Sequence, residues 1–292
     1  PKLIVKLPAE DIYVGQSVPI QVMMTDPDGN SVRGLTRVEV TSEGFMVDTT
    51  FYRQRRDTVT LEGKTVPALA QEMFLTPLKA GEVKLVAQAQ AILGLPTPAQ
   101  AAQLPGYFPL VDADPVMVTV KRLPTEGELP GFTGAIGTFT LDQPRLSTNQ
   151  VRAGEPVTLT VTFKGQGNLA RLIPPKLDGL LDWQTFEPTS DATMAQIIQQ
   201  RGFATFNYTL IPLSDRIAST PRIPFSFFDP SKRTFADLTV PPVPIQVLPA
   251  PGGVNRLPPA GTAALTASSD EGRDAEGHNL VMNGLSETPG VV

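Results

Sequence analysis

The chain has 292 residues, 41% hydrophobic and 18% charged, with 30 prolines and no cysteine. That length accommodates two domains, proline at about twice its usual ~5% share argues against long helices, and the missing cysteine excludes disulfides, thiolate catalysis and Cys-ligated metals. The net charge is −5, and residues 252–292 hold five acids against two basic residues, so the remainder is nearly neutral and lacks the concentrated basic face of a nucleic-acid binder.

Residues 2–7 and 18–24 read as short strands with a turn at Val14-Gly15 between them. Asp26-Pro27-Asp28-Gly29-Asn30 is turn chemistry, with Pro fixing φ and Gly permitting a positive one. Its alternate oxygens resemble a calcium loop, but the distal bidentate Glu is missing, so a turn is the expectation. Strand composition follows at Arg37–Val40, Phe45–Val47, Thr58–Leu61, Met73–Leu75 and Val83–Ala87. Short strands at close spacing describe an antiparallel sandwich. Residues 89–113 read as a long insertion packed on one end of the first module; Ala89–Leu93 and Ala99–Leu104 have the composition of short helical turns, but Pro96, Pro98 and Pro105 bracket them tightly.

A Pro/Gly-rich connector spans 121–138, and a second strand series begins at Thr138. It includes Val157–Phe163, a hairpin from 196–200 and Ala204–Leu210, the alternating run Arg222–Phe227, and Val243–Leu248. After Pro251 the composition turns to Gly, Ala, Ser, Thr and acids, as expected of a flexible tail whose apolar patch is Asn279–Met282. No apolar run approaches the ~20 residues that span a bilayer. The sequence opens at Pro1 with no Met and no signal-like segment, as expected of a processed or trimmed form.

The two series are copies of one module. Val14-Gly15-Gln16-Ser17-Val18 returns as Ala153-Gly154-Glu155-Pro156-Val157, Thr76-Pro77-Leu78 as Ile211-Pro212-Leu213, and the strand from Pro115 as the strand from Pro242. A shared order with drifting spacing is the mark of a repeat whose loops differ in length. The expected architecture is all-β: two tandem immunoglobulin-like antiparallel β-sandwiches at 1–124 (insertion 89–113) and 125–250, then a tail over 251–292.

No residue pattern carries catalysis. Gly165-Gln166-Gly167-Asn168-Leu169-Ala170 fits a relaxed dinucleotide fingerprint, but Pro174-Pro175 leaves no room for the required helix, and a β-loop is expected. His278 is the one histidine and falls in the tail, which sets aside triads and His-rich metal sites. Carboxylates show no acid–base spacing. Catalytic, cofactor-binding and metal residues are therefore all expected to be none. Arg53-Gln54-Arg55-Arg56 is read as a solvated loop flank, and the sequon Asn207-Tyr208-Thr209 lies inside a strand. Trp183 is expected to anchor the second core or its rim. Phe225, Phe227 and Phe228 cannot all face one way along a strand, so Phe228 is the candidate exposed aromatic.

Five phrases of the second module, in order, carry a resemblance: Gly131–Phe139, Val151–Leu159, Gly165–Leu169, Tyr208–Leu213 and Ile223–Pro230. Together they resemble the BatD (oxygen-tolerance, aerotolerance-operon) family of bacterial envelope proteins, strongly over 131–248 and more weakly over 3–124. The resemblance implies tandem Ig-like domains in the periplasm, held by a membrane helix beyond the C-terminus. It further implies work beside von Willebrand A-domain proteins and a MoxR-type AAA+ ATPase, with no catalytic residues to transfer. The expected function is a non-enzymatic interaction ectodomain without cofactor, its partner-binding residues unknown, with crosslinks from the 89–113 insertion or the 165–176 loop as the observation that would locate its contact face. A carbohydrate-binding or adhesion module is the alternative.

Overall fold

Strict alternation sets the first module's strands: along Val18–Thr25, Val18, Ile20, Val22 and Met24 all turn inward and are buried. The computed structural model describes residues 1–8, 11–25, 32–93, 108–190 and 202–251. The turn at 26–30, residues 94–107 of the insertion, residues 196–200, His278 and the tail from 252 lie outside them. Within Pro1–Leu257, which forms one compact unit, the described residues build two sandwiches.

In the first sandwich β1 (Lys2–Lys6), β3 (Val18–Thr25), β5 (Phe45–Leu61) and β6 (Lys64–Pro77) form one sheet in the order β1-β3-β6-β5. The facing sheet is β2 (Ile12–Tyr13), β9 (Val116–Lys121), β7 (Gly81–Leu93) and β4 (Val32–Thr41), with β8 (Leu110–Asp112) also paired to β7. Between them lies a core that includes Ile20, Val22, Leu75, Leu85 and Val118. The strands expected at Phe45–Val47 and Thr58–Leu61 are one continuous strand, β5. Ala89–Leu93, whose composition also suits a helical turn, is the end of β7 and not part of an insertion. There Ala87, Ala89 and Ala91 are buried while the intervening glutamines are half-exposed, a period of two that small side chains had disguised.

The second sandwich is built from β10 (Phe132–Leu141), β11 (Arg145–Leu146), β12 (Gln150–Arg152), β13 (Val157–Gly167), β14 (Trp183–Thr185), β15 (Thr189–Ser190), β16 (Phe203–Pro212), β17 (Ser226–Asp229), β18 (Thr234–Asp237) and β19 (Gln246–Leu248). Strand β10 changes sheets midway. Its first half runs parallel to β17, and from Gly137 onward it pairs antiparallel with β13. Phe163, Phe206, Phe225 and Phe227 fill the core, the Phe163 and Phe225 rings lying 4.2 Å apart. Trp183 joins this core from edge strand β14, and the Tyr208 hydroxyl donates to the Pro175 carbonyl at 2.8 Å.

The repeated phrases touch one another in both copies. Gly15 N–H donates to Pro77 O at 2.9 Å and Gly154 N–H to Pro212 O at 2.8 Å. Val14 N–H donates to Lys121 O, and Ala153 N–H to Leu248 O. The parallel pair β2–β9 recurs as β12–β19. The chain is therefore all-β, with two tandem Ig-like sandwiches.

Candidate functional site: the junction between the two sandwiches

Alternation holds along Phe225–Phe228, yet all three phenylalanines are buried. Phe225 and Phe227 face the second core, whereas Phe228 faces outward into a separate cluster with Ile136 and with Tyr13 of the first sandwich. The expectation of an exposed Phe228 is thus wrong: the far side of its strand is covered by the neighbouring module. The Tyr13 and Phe228 rings meet edge to face at 4.8 Å, and Phe235 closes on Phe228 at 5.2 Å.

Asn168 fastens the same seam. Its Oδ1 accepts from Ile136 N–H at 2.8 Å, and its Nδ2 donates to Gly134 O at 2.7 Å and to Gly15 O at 3.3 Å in the first sandwich. Asn168 and the Ile136 N–H are both buried, so that donor depends on the amide. The Gly165–Ala170 phrase therefore holds a buried clasp. Its first half continues β13, and a single 3-10 turn, Leu169–Arg171, follows where a nucleotide site would need a full helix. Asn168→Ala leaves the buried Ile136 N–H without a partner and cuts the tie to Gly15; the expected loss is about 2–3 kcal/mol by urea unfolding, against little change for the exposed Thr148→Ala.

Charge completes the joint. Asp11 receives Lys121 Nζ at 2.7 Å and Arg233 Nη2 of the second sandwich at 2.8 Å. Arg233 is aimed by the β17–β18 turn. There Asp229 Oδ1 accepts from the Ser231 N–H and hydroxyl and from the Lys232 N–H, and Arg233 itself adopts φ +57°. Burial pushes the Asp229 carboxyl up, but those donations outweigh it and hold the group below its ordinary value. The hydrogen bond from Lys121, with the nearby Arg233 charge, holds Asp11 below 3.8. A depressed carboxyl stabilises the fold above its unfolded pKa, and this contribution disappears as pH falls through the lower folded value. Wild type and Asp11→Asn should therefore differ in melting temperature at neutral pH and converge well below pH 3.8. A constant difference across a melting series would remove Asp11 from the acid response.

Beside the seam opens a cleft of about 730 Å³. Pro19, Gln21, Glu72 and Phe74 line its first-sandwich side, and Thr138 and Gln166 line the other. Glu72 is held by Arg55 at 3.3 Å, and Arg55 also reaches Asp57 at 3.1 Å. The basic cluster Arg53–Arg56 thus lies in edge strand β5 and not on a loop flank, where its charges oppose pairing with another strand. Asn207 lies within β16 and accepts from the Thr160 hydroxyl at 2.8 Å. Among the described residues no three His, Asp or Glu side chains are grouped to hold a metal, and no helix is long and apolar enough to cross a membrane. Sequence reasoning missed Tyr13, Asn168, Asp11 and Arg233. One signal for them was available: Tyr13 stands where the second copy has Arg152, a departure between repeats just beside the shared Gly.

Residues 145–247, most of the second sandwich, match the family model described as the BatD DUF11 like domain, within the stretch whose phrases carried the resemblance. Similar solved structures include the Escherichia coli adhesin FdeC, at 16% identity and a TM-score of 0.24, covering 84% of this chain and 64% of that one. The Yersinia pseudotuberculosis adhesin InvE aligns at 11% identity and a TM-score of 0.23, covering 84% of this chain and 60% of that one. The chain spans less than two thirds of either adhesin. No curated protein matches.

Proposed function

We propose that the chain is a non-enzymatic protein-interaction ectodomain of the bacterial envelope, working beside von Willebrand A-domain proteins and a MoxR-type AAA+ ATPase in oxygen or stress tolerance. The match of residues 145–247 to the BatD domain carries this reading. The joint supports it in physical terms. An aromatic lock, a buried amide clasp and an ion pair fix one sandwich on the other, so loops at both ends are presented at a set spacing. In native membranes, crosslinking mass spectrometry is expected to join the partly exposed stretch that follows the clasp, residues 171–176, or the 89–113 segment to a von Willebrand A-domain protein. Crosslinks confined to the chain itself would overturn the reading, and binding on a glycan array would put a carbohydrate module in its place.

A further inference from the structure

The chain holds seven methionines and no cysteine, so oxidation of its sulfur falls on methionine. Burial sorts the described ones: Met23, Met24 and Met73 are buried, whereas Met117 on β9 and Met46 on β5 are exposed. Met46 is the second residue of β5, where strand alternation turns Phe45 into the core and leaves Met46 outward and 42% exposed. Its Sδ accepts from Nη2 of Arg171 in the second sandwich at 3.2 Å. Arg171 ends the single 3-10 turn after Asn168 and donates its own N–H to Asn168 O, so this contact lies on the same seam as the clasp.

A thioether is a poor partner for a guanidinium, because its sulfur accepts hydrogen bonds only weakly. A sulfoxide oxygen is a polar acceptor, and a cationic donor makes a hydrogen bond to oxygen roughly twice as strong as a neutral one. Location decides the sign of the effect. At Met73 the added oxygen would be buried without a partner and would destabilise the core. At Met46 water reaches the side chain and a guanidinium of the neighbouring sandwich already points at the sulfur. We propose that Met46 is a peroxide-oxidisable site whose sulfoxide tightens the joint by accepting from Arg171. The substrate class is a hydroperoxide, ROOH. The Met46 sulfur lone pair attacks its terminal oxygen and the O–O bond breaks. Sulfur is oxidised by two electrons to the sulfoxide, and the leaving RO⁻ takes the proton released by the transferred oxygen, giving ROH. Methionine sulfoxide reductases, one for each epimer, restore the thioether, so the change is reversible. This switch acts on the joint itself, beyond the reading of the chain as an interaction ectodomain, and its test involves no partner.

Wild type, Met46→Leu and Arg171→Ala are treated with hydrogen peroxide, mapped by peptide mass spectrometry, and melted in the calorimeter before and after treatment. Wild type is expected to form sulfoxide at Met46 while Met23, Met24 and Met73 remain reduced, and to melt about 2 °C higher afterwards. That rise should be absent from Met46→Leu, in which the exposed Met117 is still open to oxidation. It should be absent as well from Arg171→Ala, which still carries the Met46 sulfoxide. Both substitutions are at exposed positions, and each variant's untreated melt reports that it is folded. A Met46 that stays reduced, a wild-type melting temperature that stays or falls, or a rise that persists in either variant would overturn the proposal.

Discussion

Tyr13→Ala is expected to lower stability by about 3–4 kcal/mol and to split one thermal unfolding transition into two. Tyr13 is 4% exposed, and its outer cover is supplied by Phe228 and Ile136 of the other sandwich. Truncation removes the ring's transfer energy and its edge-to-face contact with Phe228, and opens a cavity that neither rigid sheet can refill. The second half of the prediction follows from location. Each sandwich has its own core, and Tyr13 belongs to the small cluster that spans them. Loss of that cluster leaves Asn168, Asp11 and the Arg171 donation to Met46 Sδ as the described polar ties, and in the Asp11–Arg233 pair the guanidinium is largely exposed, which keeps its worth small. Calorimetry distinguishes the outcomes: a single, shifted peak would show that the cores communicate through some other contact, and two peaks would identify Tyr13 as the coupling residue. Tyr13→Phe, which keeps the ring, should remain within about 1 kcal/mol of wild type with one peak.

The legible part of this fold was its repeat, and the reason is local. Gly15 and Gly154 both sit at the turn before a core strand, at φ +84° and +91°, where glycine is favoured, so the phrase survives in both copies. Pro77 and Pro212 recur because each pairs with the aromatic that seals the end of its core, Phe45 or Trp183. What stayed hidden was relational. Phe228 faces away from its own core, as strand alternation predicts, but it is not exposed; nothing in its own segment says that Tyr13, more than two hundred residues earlier, covers it. Asn168 looks like a turn residue because its partners Gly15, Gly134 and Ile136 all come from other segments. The alanine-glutamine run at the end of β7 misled for a different reason: alanine favours helix intrinsically, and only sheet burial makes its alternation visible.

Gly165→Ala should be among the most damaging single-methyl changes in the second sandwich, with an expected loss of about 4 kcal/mol. Gly165 has φ +143° and sits opposite Phe139, and a Cβ built there runs into the Thr138 carbonyl of the paired strand. Gly167 and Gly137, opposite each other two residues along, likewise meet the backbone of the paired strand, at the Ile136 and Gln166 carbonyls. These glycines let β13 close against β10 just where β10 leaves one sheet for the other, and the Asn168 clasp follows immediately. A methyl group would force the strands apart at the corner that carries the junction. Gly127→Ala separates the two components of this effect, because Gly127 has φ +78° with nothing within 4 Å of its would-be Cβ. It should lose only the backbone term of about 1 kcal/mol. Urea unfolding of the two variants decides the matter. If Gly165→Ala falls as little as Gly127→Ala, backbone conformation accounts for the glycine and strand contact does not; a gap of about 3 kcal/mol places the requirement in the contact between β10 and β13.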